Sequence, residues 1–359
     1  MTELNVGQGG DLERAWDAYH RLELERARAL FEAAVAERPD SVAGHQGLGR
    51  TLIRMRREED AHQQVERCLA LGPEEYETHA LAGLYYFLVD ALDEAQASLE
   101  KASALEPQEI EPHVVRAQVH ADKGAFAEAE ADLARARELI DALEDEAVQR
   151  RERAALLHAE TYVALSAKRE DEARAKAEEA LAYADANPHA VCLANTNLGL
   201  MAARQKRWDE AVGYLTAALE LNPAFYRARG ALGRVYLVTG RPEEAAAALE
   251  ATLETMPQPD AHTVMACASA LSKIGRREEA AALYRRALKL NPRWVERIYA
   301  GWQSVWQDRK GRLYVLVAGA VALGLWLWLA KPSPQAITLV LLVVVILLLQ
   351  RAMSGRKPR

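Results

Sequence analysis

Arginine is the residue type best suited to recognition chemistry in this chain. Arg50 and Arg54 are four residues apart, and Asn197 with Arg204 and Arg227 with Arg234 are each seven apart. On a helix, those spacings bring side chains to one face. A planar guanidinium takes a carboxylate through two parallel hydrogen bonds. These six residues are therefore the candidate contacts for a protein partner carrying an acidic or C-terminal carboxylate. The alternative is that the arginines only keep a groove solvated. Covalent and metal chemistry lack their patterns. The nine histidines show no i, i+4 pair, and GxxxxGK[ST], HExxH and GxSxG are all missing. Cys68, Cys192 and Cys267 lie far apart with no CxxC, which fits a reducing compartment. Neither catalytic residues, a cofactor, a metal nor a small-molecule substrate is expected.

The net charge of −7 is an average over two unlike parts. Residues 293–359 hold ten Lys+Arg and two Asp+Glu, a balance of +8, so the first 292 carry −15 (35 basic, 50 acidic). Nucleic-acid binding needs clustered cations, so no nucleic-acid partner is expected of so acidic a body. Met1 to Asp11 shows no apolar run, which predicts no cleavable signal peptide. The cluster Gly7 to Gly10 reads as part of a flexible lead over 1–10.

The elements that must position these residues are helices, because Ala, Leu, Glu and Arg dominate. They recur. Pro39, Pro73 and Pro107 are 34 residues apart, and Pro188, Pro223, Pro257 and Pro292 follow at 35, 34 and 35. Small residues keep the same phase at Ala27, Ala61, Ala95 and Ala129, then Ala173, Ala211, Ala245 and Ala280. Gly49, Gly83, Ala117, Gly199 and Gly233 each precede their partner alanine by 12. Two short helices cross closely only where one of each facing pair lacks bulk, which predicts Gly83 facing Ala95. Large residues such as Phe31, Leu48, Leu99, Leu133 and Tyr284 then fill the flanks, and proline ends the second helix.

These residues resemble the tetratricopeptide repeat family, most closely at Leu232-Gly233-Arg234-Val235-Tyr236 with Ala245 and Pro257, and at Leu198-Gly199 with Ala211 and Pro223. The resemblance implies an all-α, right-handed superhelical solenoid of about eight helix-turn-helix units over 11–292. Spacings of 44 and 38 between successive alanines place an irregular joint near 140–190, where the charged run Glu144 to Arg153 lengthens the fifth unit. The resemblance also implies that the first helix of each unit lines a concave groove for protein partners. Some relatives clamp a terminal carboxylate there. Asn197 and Arg227 fall at two of the clamp positions, while His158, Tyr162 and Ala231 occupy the others.

Beyond 292 the pattern changes. Leu313 to Ala330 is 18 residues without a charge, Lys331-Pro332-Ser333-Pro334-Gln335 interrupts, and Ala336 to Leu349 adds 14 apolar residues. At about 1.5 Å per residue the first helix is about 27 Å long, near the ~30 Å hydrocarbon core. This predicts two C-terminal transmembrane helices forming a hairpin over 313–353, the second of them spanning or re-entrant, followed by a basic tail, 354–359. Arg309, Lys310 and Arg312 before it and Arg351, Arg356, Lys357 and Arg359 after it put both termini in the cytoplasm. The stretch 293–312 has Trp294, Ile298, Trp302 and Trp306 at helical spacing. It reads as a helix capping the last repeat through Trp294 and Ile298, or as an interfacial belt, or as both. The expected protein is a scaffold in the inner, cytoplasmic membrane that binds partners during assembly of a membrane or envelope complex. The alternative is an accessory subunit of a membrane enzyme or transporter, docked through its hairpin.

Overall fold

The computed structural model describes residues 6–256, 258–290 and 294–308. These residues form 17 α-helices, and the chain divides into two compact bodies after Pro259. Seven helix pairs make up the first body. They are α1 (Val6–His20) with α2 (Leu24–Glu37), α3 (Val42–Arg54) with α4 (Glu58–Leu71), α5 (Tyr76–Leu88) with α6 (Leu92–Leu105), and α7 (Glu111–Asp122) with α8 (Phe126–Asp141). After them come α9 (Glu146–Ser166) with α10 (Glu170–Ala180), α11 (Pro188–Arg204) with α12 (Trp208–Leu221), and α13 (Tyr226–Val238) with α14 (Pro242–Thr255). The second body contains α15 (Ala261–Lys273), α16 (Arg277–Lys289) and α17 (Trp294–Gln307).

Side-chain caps start several of the first helices. Ser41, Asp145, Asn187 and Asp260 accept from backbone N–H groups in the opening turns of α3, α9, α11 and α15. Helix α1 begins at Val6, so Gly7, Gly9 and Gly10 fall inside it and not in a flexible lead. Pro39, Pro73, Pro107 and Pro223 each follow the end of a second helix, whereas Pro188 opens α11, where its missing N–H costs nothing. Helix α9 runs for 21 residues, and a 3-10 turn (Leu181–Tyr183) extends α10 toward Pro188.

All eight alanines of the recurring series are fully buried where paired helices cross. The glycine partner differs from expectation. A Cβ on Gly83 would lie 2.5 Å from Leu99 Cγ, so the side chain facing Gly83 is Leu99, one turn beyond Ala95. Gly199 meets Leu215 and Gly233 meets Leu249 in the same way, each sixteen residues on. The alanine permits close approach, and the leucine fills the space the glycine leaves.

One turn is repeated in every unit. The residue between paired helices has positive φ at Leu22, Arg56, Asp90, Gly124, Lys168, Lys206, Gly240 and Gly275. The next residue always returns its N–H to a carbonyl five positions back, as in Arg57 to Leu52, Ala91 to Tyr86 and Arg241 to Tyr236. Such a bond closes a helix end in the left-handed conformation, which glycine adopts freely and other residues adopt at a cost. A Cβ on Gly240 would touch nothing, so backbone strain alone sets the effect of Gly240→Ala, a loss of about 1–2 kcal/mol. Lys206→Gly relieves the same strain and gains under ~1 kcal/mol, since glycine also loosens the unfolded chain. Thermal melts of the two variants should move in opposite directions.

No helix among the described residues is long and apolar enough to cross a membrane. The expected hairpin, 313–353, and the basic tail, 354–359, lie outside the described residues.

Candidate functional site

Within the first body the leading helices of successive units touch one another, α3 on α5, α5 on α7, α7 on α9, α9 on α11 and α11 on α13. The polar side chains they share make this crowded face the candidate site. Arg50 on α3 reaches across α5 to Glu111 on α7, donating from Nη1 at 2.5 Å and Nη2 at 2.6 Å. Burial alone would lower the arginine's pKa and raise the glutamate's. Their mutual attraction outweighs it and keeps both ionised. Arg50 is thus committed to an internal pair.

Arg54, one turn on, has no such partner. It donates to the Tyr19 carbonyl at 3.1 Å, and its guanidinium lies 3.7 Å over the Tyr19 ring. Burial, helped by the neighbouring Arg50, lowers its pKa, and Tyr19 and Glu111 offset that only in part. Three histidines feel the same surroundings. His20 is driven down to about 4 by burial, then by Arg151 and Arg54. Burial and then Arg227 bring His158 to about 4. His189 is held well below the usual value by burial, then by Arg54 and His158. All three are neutral at pH 7, and the Nδ1 atoms of His158 and His189 are enclosed without a hydrogen-bond partner.

Arg227 is exposed on α13 and shows no carboxylate partner among the described residues. Its field reaches His158, Tyr162 and Cys192. Arg54 and Arg227, 173 residues apart, thus act electrostatically on two neighbouring histidines, Arg54 on His189 and Arg227 on His158. Asn197 is half-buried on α11, Arg204 is exposed in its last turn, and Arg234 is half-buried on α13. Tyr162 is already engaged, its hydroxyl donating to both oxygens of Asp122 at 2.7 and 2.8 Å. Glu111 and Glu152 lie among Arg50, Arg54 and Arg151, Asp17 acts on His20, and Asp122 holds Tyr162 near Arg227, while burial raises the Glu152 pKa. Arg54 and Arg227, which make no ion pair among the described residues, are the groups of this face that can hold an anion.

Sequence reasoning missed His20, His189, Glu111 and Arg151, which carry no local spacing signal. It also missed histidines at 45, 79 and 113, again 34 apart. His45 and His79 each place Nε2 2.8 Å from the carbonyl of the proline six residues back. They latch the preceding loop to the next helix. On α7, His113 and Arg116 turn instead to the buried Asp132 of α8. Arg116 Nε donates to its two oxygens at 3.0 and 3.1 Å and Nη2 donates as well, while His113 Nδ1 is at 3.3 Å. His120 Nδ1 lies 3.0 Å from the same carboxylate, near enough for charge attraction but misaligned for a hydrogen bond. No group among the described residues is arranged to hold a metal. Burial pushes the Cys68 and Cys192 thiols up to about 12, which disfavours the thiolate form.

Profiles described as tetratricopeptide repeat match residues 202–267 and 263–293. No curated protein sequence matches the chain. Among solved structures, the APC/C hetero-tetramer Cut9-Hcn1 aligns at a TM-score of 0.61 and 16% identity, covering 85% of this chain and 57% of that one. The chain thus spans under two thirds of that protein's length, and the likeness is one of fold. PilF of Pseudomonas aeruginosa aligns at 0.49 with 18% identity, over 62% of this chain and 95% of that one. PilW, described as a widely conserved type IV pilus biogenesis factor, aligns at 0.46 with 19% identity, over 62% and 97%. At TM-scores under 0.5 no argument rests on these two. The fold is all-α and of the tetratricopeptide solenoid kind, one typically used for non-catalytic protein binding.

Proposed function

We propose, on the premise that residues 202–293 are tetratricopeptide repeats, that this chain is a scaffold binding acidic segments of protein partners on the inner face of its first body. Arg54 and Arg227 are the principal contacts, with Asn197, Arg204 and Arg234 farther along and Arg50 stiffening the face through Glu111. The observation that carries the reading is Arg54, a guanidinium that makes no ion pair among the described residues and acts on His189, with the Nδ1 atoms of His189 and of its neighbour His158 left without a hydrogen-bond partner. A bound carboxylate would supply what each lacks. The apolar runs at 313–330 and 336–349 support anchoring in the cytoplasmic membrane with the repeats on the cytoplasmic side. Such a protein would hold partners during assembly of a membrane or envelope complex.

A labelled hexaglutamate peptide tests the site by fluorescence polarisation on the full chain in detergent. Arg54→Gln with Arg227→Gln should weaken binding by about 1–3 kcal/mol, in the range for charge-assisted hydrogen bonds. Circular dichroism should stay unchanged. Undiminished binding by a folded double variant would remove Arg54 and Arg227 from the site.

A further inference from the structure

Helix α17 has two opposed faces. Ala300, Ser304 and Gln307 are buried, Tyr299 meets Tyr284 of α16 edge to face at 5.9 Å, and Gln307 Nε2 donates to Ser272 Oγ of α15 at 2.6 Å. At about 100° per residue these three buried positions cluster around ~200°, counting Ile298 as zero. The opposite side carries Ile298, Trp302 and Val305, which are 66%, 55% and 40% exposed. They fall within ~60° of arc. Trp294 and Ile298 were expected to pack on the last repeat; Ile298 is instead exposed while Ala300 is buried, and the Trp294 side chain lies outside the described residues. Trp302 and Trp306 stack nearly parallel, with centroids 5.7 Å apart.

A fixed helix that turns a narrow stripe of Ile, Trp and Val to solvent needs something to cover it. The chain itself says what lies next to it. Two residues past α17, after Asp308, begins the basic group Arg309, Lys310 and Arg312, followed by 18 residues without a charge. Within α17 only Glu296 and Arg297 are charged. Tryptophan favours the boundary between headgroups and acyl chains, and adjacent cations add attraction to anionic lipid.

We propose that α17 lies along the surface of an anionic phospholipid bilayer, with Ile298, Trp302 and Val305 set into the headgroup layer. The inference rests on the membrane anchoring proposed above and adds a second, peripheral contact that fixes how the final repeat meets the membrane. The test uses the full chain reconstituted in vesicles of phosphatidylcholine and phosphatidylglycerol. An environment-sensitive fluorophore is placed in turn at Ile298→Cys, Val305→Cys and, as a control, Glu278→Cys on the exposed side of α16. A headgroup-depth lipid quencher should remove most of the fluorescence at 298 and 305 and leave that at 278. Chains that float with the vesicles yet keep their signal at 298 and 305 would overturn the proposal while leaving the anchor intact. Failure to float would overturn both. Quenching between labels on two copies, with none from lipid, would assign the stripe to self-association and overturn it as well.

Discussion

Asp132→Ala should destabilise the protein by about 3–5 kcal/mol, because it leaves Arg116 charged and enclosed without its hydrogen-bonded counter-charge. Only 7% of the Asp132 side chain is exposed, and the side chains grouped around it are nearly as enclosed, with Arg116 at 17%, His113 at 10% and His120 at 12%. Taken alone, burial would raise the carboxyl pKa, but the hydrogen bonds from His113 and Arg116 outweigh it and hold it below the usual range. The sign follows. The stability this gives is fully present above the unfolded carboxylate value of about 3.9 and is lost as pH falls through the lower folded value. Urea unfolding at pH 7 measures the loss. Over that acid range the wild type should weaken through this group, whereas Asp132→Asn, which cannot titrate, should show less dependence. Equal midpoints for wild type and Asp132→Ala at pH 7 would mean that the guanidinium finds water in the fold.

Gly83→Leu should be strongly destabilising. The first added carbon would already sit 2.5 Å from Leu99 Cγ, and Leu99 is fully buried, so it has nowhere to turn. Overpacking of this kind costs about 1–3 kcal/mol or more. Solenoid units are held mainly by their neighbours, so hydrogen exchange should rise first in units two to four, α3 to α8. A uniform rise across all units would show that the first body unfolds as one block.

The repeat itself could be read from residue spacing because it is local physics. An alanine or glycine is required wherever two helices cross, and a proline is tolerated only at their ends. Phase errors arose where a second residue shared the task. Leu99, not Ala95, takes the space over Gly83, since a helical side chain leans toward the preceding turn and covers a neighbour one turn away. The repeated turn was hidden by its own tolerance, because five of its eight positions carry Leu, Arg, Asp or Lys where glycine would have announced it. The inner face was the least legible. Arg54, His158, His189 and Arg227 lie in four separate helices, and they come under one another's influence only because the leading helices pack side by side. No spacing along the chain encodes that packing. The extent of Arg50 engagement was hidden for the same reason, since its partner Glu111 is 61 residues away.

That pair has a mechanical consequence. Pulled by its ends, an array held only by adjacent contacts would peel one hairpin at a time, each step yielding a short length of chain. Arg50 and Glu111 join the second unit to the fourth and so clasp the third between them. The third unit cannot pay out its chain while the clasp holds, so the front of the array should give way in one larger extension once it breaks. The brittle segment would be the one that resists longest.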